Sequence, residues 1–140
     1  NDLNTARYTA GIVMGGQTPP GTRIAITESW NGTNWTEVND LNTARSSGTL
    51  SATGTSTAGI YAGGRTSPGS PGGVQSVNES WDGTSWTEVT DLNTQRTALG
   101  GTGSSNTSAL AYGGLNPPGK SAIFDINCTV CYKYKPLRQG

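Results

Sequence analysis

One block of sequence occurs twice, almost letter for letter, and nothing else in the chain restricts its fold as tightly. Glu28-Ser29-Trp30-Asn31-Gly32-Thr33-Asn34-Trp35-Thr36-Glu37-Val38 is followed by Asp40-Leu41-Asn42-Thr43-Ala44-Arg45. The second copy runs Glu79-Ser80-Trp81-Asp82-Gly83-Thr84-Ser85-Trp86-Thr87-Glu88-Val89, then Asp91-Leu92-Asn93-Thr94-Gln95-Arg96. Trp30 maps to Trp81 and Arg45 to Arg96, an offset of 51 residues in both cases. Repetition at that period makes the chain a modular array.

Each unit also carries an apolar run closed by a double glycine. These are Ile12-Val13-Met14-Gly15-Gly16, Ile60-Tyr61-Ala62-Gly63-Gly64 and Leu110-Ala111-Tyr112-Gly113-Gly114, spaced 48 and then 50 residues apart. From the preceding arginine to the first glycine the distance is 8, 18 and 17 residues in the three units. The first unit therefore lacks about ten residues, enough for one short strand and its turn. Residues 1–7 are identical to 39–45 and read as the tail of a preceding repeat. Residues 8–45 then form a shortened repeat, 46–96 a complete one, and 97–140 a terminal, atypical one. With no Met at its start, the chain is expected to be a processed product or a piece of something longer.

The complete unit predicts four strands, near 48–53, 58–63, 74–81 and 85–90. Asp82-Gly83 is expected to join the last two, because such pairs suit two-residue hairpin turns in which both central residues take positive φ. The Pro/Gly/Ser-rich stretches 17–22, 65–73 and 115–120 read as surface loops. The stretch from Ile123 to Tyr134 is rich in β-branched and aromatic residues but lacks the Trp pair. Counted from the double glycine, Cys128 falls where Trp30 sits.

Composition agrees with short strands and many turns. Gly, Thr, Ser and Asn supply nearly half of the residues, Thr favouring strands and the others turns. Charged residues are 13%, against a usual ~25%. Four Trp, five Tyr and regularly placed aliphatic residues argue against a disordered chain. Net charge is zero and no basic face recurs with the repeat, which removes the electrostatic footprint of nucleic-acid binding. No apolar run approaches the ~18 residues that would span a membrane.

The combination resembles the kelch repeat: a double glycine after an apolar run, an aromatic pair around a turn, Thr-x-Val, and a closing Leu-x-Thr-x-Arg. It is carried by Gly15, Gly16, Gly63, Gly64, Gly113 and Gly114, by Trp30, Trp35, Trp81 and Trp86, and by Arg7, Arg45 and Arg96. The likeness extends to about residue 122. It departs from the kelch pattern in having Trp where Tyr is usual at the first aromatic, and in its unmatched C-terminal end. The resemblance implies an all-β, kelch-like β-propeller segment with four-stranded antiparallel blades. Both rings of each Trp pair are then expected between neighbouring blades, with Arg45 and Arg96 pairing with Glu37 or Glu88 at the seams. Propellers have ~4–8 blades, and 140 residues at ~50 per blade supply fewer than three. Closure is therefore expected through self-association, or within a longer propeller.

Several chemical readings fail on the residues. The absence of His removes Ser-His-Asp and Cys-His catalysis. Gly114-Leu115-Asn116-Pro117-Pro118-Gly119-Lys120-Ser121 matches the phosphate-binding pattern formally, but two prolines remove N–H groups and no helical pattern follows. Cys128 and Cys131 form a lone C-x-x-C whose side chains point to opposite faces of a strand, so free or intermolecular thiols are expected rather than a metal site. Glu28, Glu37, Glu79, Glu88, Asp40 and Asp91 recur with the repeat and read as turn caps or seam partners, not as an acid/base pair. N-x-[ST] sites occur at Asn31, Asn34, Asn78, Asn106 and Asn127, as chance allows in so Asn/Ser/Thr-rich a chain.

The near-identity of the copies is most similar to kelch-like arrays of phage tail fibres and of secreted environmental proteins. The expectation is a non-enzymatic structural or adhesive module, without cofactor or metal, in an extracellular or virion-surface assembly. Its partners would be copies of itself, or a surface glycan or protein receptor. A glycan-binding propeller and a protein-recognition kelch domain are the alternatives.

Overall fold

The computed structural model describes residues 10–51, 56–68, 73–116 and 120–121. Every regular element among them is a β-strand. The first unit contributes β1 (Gly11–Met14), a small arm of β2 (Gln17–Thr18) and β3 (Thr22–Arg23), then β4 (Thr27–Trp30) and β5 (Trp35–Val38). The second contributes β6 (Thr49–Ser51), β7 (Gly59–Ala62), β8 (Asn78–Trp81) and β9 (Trp86–Val89). β10 (Gly100–Ser105), β11 (Ser108–Tyr112), β12 (Leu115–Asn116) and β13 (Lys120–Ser121) follow. All pairings are antiparallel, in a four-stranded sheet β6-β7-β8-β9, a three-stranded sheet β1-β4-β5, and the pairs β10-β11, β2-β3 and β12-β13.

The two larger sheets share one register. Trp81 faces Trp86 across β8 and β9, and Trp30 faces Trp35 across β4 and β5. Tyr61 lies opposite Glu79 as Val13 lies opposite Glu28. The shorter first unit shows three of the four strands among the described residues, β1 taking the place of β7. Residues 1–9 lie outside the described residues. The predicted third strand, 74–81, forms a regular ladder only over 78–81. Ahead of it the backbone is drawn to the double glycine instead: Gln75 N–H donates to Gly64 O, and Gly63 N–H to Val77 O.

The hairpin turn also differs from expectation. Positive φ is confined to Gly83 (96°), so Asp82 and Gly83 are not the central pair of a two-residue turn. The Asp82 carboxylate instead accepts the Thr84 and Ser85 N–H groups at 2.8 Å each, an Asx turn that closes the hairpin with a side chain. Asn31 does the same with Thr33 and Asn34 at 2.9 Å.

Strand alternation gives the four-stranded sheet two buried faces. Tyr61, Trp81 and Trp86 point toward the first sheet and form a core with Leu41, edged by Ile12, Met14 and Val38. On the other face Ala62 and Leu92 meet Ala111, edged by Ile60 and Leu99. The Trp81 and Trp86 rings are tilted 42° with centroids 5.2 Å apart, a geometry worth about 0.5–1.5 kcal/mol beyond area burial. The core is a row of seams between sheets.

Candidate functional site

The seam between the first two sheets gathers most of the residues that recur with the repeat, and it is built first from backbone. Gly15 and Gly63 have φ of 64° and 62°, which other residues adopt at a cost. Their successors donate to the arginine that closes the same unit: Gly16 N–H to Arg45 O at 2.9 Å, and Gly64 N–H to Arg96 O at 2.8 Å. A Cβ on Gly15 would lie 2.5 Å from Arg45 O, and one on Gly63 2.6 Å from Arg96 O. The double glycine is therefore where a unit's tail is pressed onto its own second strand.

The side chain of Arg45 goes the other way, into the next sheet. It donates to Val77 O at 3.0 Å and Tyr61 O at 3.1 Å, and its Cζ sits 4.9 Å over the Tyr61 ring. It pairs with Glu79 at 3.2 Å, both side chains 0% exposed. The expected partners, Glu37 and Glu88, are both exposed, and the pairing falls to Glu79. Glu79 and Glu88 are cross-strand neighbours on one face, but β8 is an inner strand and β9 an edge. The inner position is the one covered by the neighbouring unit.

Glu79 also holds the connector that carries Arg45. Its Oε2 accepts the Asn42 backbone N–H at 2.7 Å and the Asn42 amide at 3.0 Å, and its Oε1 accepts Thr43 N–H at 3.3 Å. Burial lowers the pKa of Arg45, opposed by the Glu79 charge, and burial raises that of Tyr61. An arginine starts so high that it stays protonated, so Arg45 meets Glu79 as a guanidinium. In the third unit the same role begins again: buried Arg96 donates to Gly113 O at 3.3 Å.

Both rings of the second Trp pair are spent in this seam. Trp86, 5% exposed, donates from Nε1 to the buried Thr27 Oγ1 of the first sheet at 3.1 Å. Trp81, 1% exposed, donates to Ser56 O at 2.9 Å. Asn39 and Asn42 reach across to Thr84 O and Trp86 O. Trp30 and Trp35 keep the same mutual geometry, 5.4 Å and 41°, yet Trp35 is 49% exposed. The first pair lies on the far face of the first sheet.

The remaining sequence candidates separate by placement. Leu115–Asn116 and Lys120–Ser121 pair as a β ladder, so the phosphate-loop pattern sits on a hairpin, with 117–119 outside the described residues. Arg7, the rest of 1–7, the stretch 123–134, Cys128, Cys131 and Asn127 also lie outside them. Among the N-x-[ST] sites, Asn78 is buried and donates to Thr90 O, and Asn106 is half-buried and donates to Ser80 Oγ and Trp81 O. Asn31 and Asn34 are exposed. Among the described residues no group of three His, Cys, Asp or Glu side chains converges as a metal site, and no helix is long and apolar enough to cross a membrane. Asp91 accepts the Ser76 hydroxyl at 2.9 Å.

No family model and no curated protein matches this sequence. Among solved structures the chain is similar to one described as "Structure of YjhT", with a TM-score of 0.67 and 17% sequence identity. The match covers 84% of this chain and 39% of that one, so the chain spans well under half the length of the protein it matches. At this identity the likeness is one of fold.

Proposed function

We propose that this chain is a kelch-like β-propeller segment acting as a non-enzymatic structural or adhesive module of an extracellular or virion-surface assembly. The observation that carries the reading is the Arg45–Glu79 seam. The recurring residues with the most chemistry, Arg45, Glu79, Trp81 and Trp86, are consumed in joining one sheet to the next. Buried and bonded to one another or to neighbouring backbone, they point into the seam and not toward solvent. The sequence has no His for acid/base work at neutral pH. A four-stranded antiparallel sheet, with a three-stranded sheet of the same register beside it in a chain that repeats at ~50 residues, fits the blade of such a propeller.

Electron-microscope images of the purified protein test the architecture: a ring of blades around a central channel supports it, and a flat or rod-like stack of sheets overturns it. One observation favours a second reading, a glycan-binding propeller, because half-exposed Trp35 offers a stacking surface for a sugar. Acrylamide quenching of Trp fluorescence across a saccharide panel separates the two. The structural reading expects no saccharide to protect Trp35, and protection by one would replace it with the lectin reading.

A further inference from the structure

The seam joins two unlike faces. One carries Tyr61, Glu79, Trp81 and Trp86; the other carries Ile12 and Met14 with the connector that ends at Arg45. The first sheet repeats the former face on its far side. There Val13 is paired with Glu28 as Tyr61 is with Glu79, and Trp30 with Trp35 as Trp81 is with Trp86. This far face is open: Val13 is 47% and Trp35 49% exposed. At the other end, β11 turns Ala109 and Ala111 inward, leaving Leu110 and Tyr112 on the opposite side, with Tyr112 40% exposed. Counted back from the double glycine, Leu110 and Tyr112 stand where Ile12 and Met14 stand. The first end thus exposes the Trp-bearing half of the seam, and the other end exposes the strand positions that correspond to Ile12 and Met14, without an arginine connector among the described residues.

We propose that a second copy of this chain seats its Leu110/Tyr112 face on the Val13/Trp30/Trp35 face of the first, head to tail, continuing the internal seam. Exposed apolar faces of this kind mark association surfaces. A contact between two identical Trp faces brings two glutamate-bearing faces together and supplies neither with a cation, whereas across the assembled seam Glu79 meets Arg45 and the connector N–H groups. Unlike faces make a heterologous contact, which closes into a ring if the rotation allows. Two copies supply roughly five units, within the ~4–8 of closed propellers. The inference rests on the repeat-array reading above and names the occupant of its open face.

Sedimentation and light scattering on the whole chain test it. The wild type is expected at a multiple of the single-chain mass. Trp35→Glu and Tyr112→Glu are each expected to be monomeric, with far-UV dichroism and buried-Trp emission retained. Mixed in equal amounts, the two variants should recover a dimer and nothing larger, since each contributes one intact half. If Trp35→Glu does not fold, Val13→Glu takes its place. A monomeric wild type overturns the inference, as does a Tyr112→Glu variant that keeps the wild-type mass. A wild-type mass that grows without limit with concentration keeps the seam and instead sinks the closed-ring architecture.

Discussion

Arg45 and Glu79 are 3.2 Å apart and fully buried, yet one closes the first repeat and the other lies in the middle of the second. The pair is the only charge–charge link between the first two sheets among the described ion pairs, and its carboxylate is saturated by three further N–H donors from the same connector. Removing one member leaves the other buried without its counter-charge. Glu79→Gln is expected to lower stability by about 3–5 kcal/mol in urea unfolding. The double change Arg45→Met with Glu79→Leu should not recover that loss, because the Asn42 and Thr43 N–H groups and the Val77 and Tyr61 carbonyls then lose their partners. A single-variant effect below about 1 kcal/mol would show the pair to be solvated in solution.

The double glycine offers an internal control. Gly63→Ala must place a Cβ 2.6 Å from both Arg96 O and Leu99 Cδ1, whereas at Gly113 nothing among the described residues lies within 4 Å. Both have positive φ, 62° and 68°, so both alanines carry a backbone cost of about 1–2 kcal/mol. Only Gly63→Ala adds overpacking, a further ~1–3 kcal/mol. Urea midpoints of the two variants should differ accordingly, and equal midpoints would count against the close approach.

The indole of Trp86 depends on a hydroxyl from the other sheet. Thr27→Val keeps the shape and removes the acceptor, leaving a buried N–H unpaired at a cost of about 1–3 kcal/mol. Thr27→Ser, which restores an oxygen, should recover most of the loss. Thermal unfolding of the two variants side by side checks this.

Asp82 and Asn31 form the same turn with different chemistry. Hydrogen bonds from the Ser85 and Thr84 backbones lower the pKa of Asp82. The native state therefore holds its proton less readily than the unfolded chain. Its stabilisation is present above the unfolded aspartate value of ~3.9 and fades as pH falls through the lower folded value. Asp82→Asn should keep the turn, as Asn31 does, while flattening that part of the acid limb of stability against pH. An unchanged acid limb in the variant would remove the carboxylate from the account.

The strands were legible because alternation, turn residues and the repeat itself coincide. Near 58–63 and 85–90 the expected limits and the observed ones differ by two residues at most. The seam was legible only as a role. Glu79 and Glu88 stand on one face of one hairpin, and each lies two residues from a Trp. Which of them is buried depends on β8 being flanked by two strands and β9 by one, a property of the sheet order. The turn was misread for a related reason. Asp82-Gly83 is compatible with a two-residue hairpin, but the carboxylate competes for the Thr84 and Ser85 N–H groups and wins locally. The two Trp pairs are near-identical in sequence and opposite in exposure, because exposure belongs to what lies alongside.

A block that begins at Glu28 and ends at Arg45 carries the second half of one junction and the first half of the next. Copying a whole 51-residue period between near-identical neighbours creates no new chemistry, since each end meets a complement already present elsewhere in the chain. Arrays held together in this way lengthen or shorten by unequal exchange without passing through a misfit intermediate. Side chains then decide only that one unit follows another, and the tally of units is left to the angle through which each turns from the last.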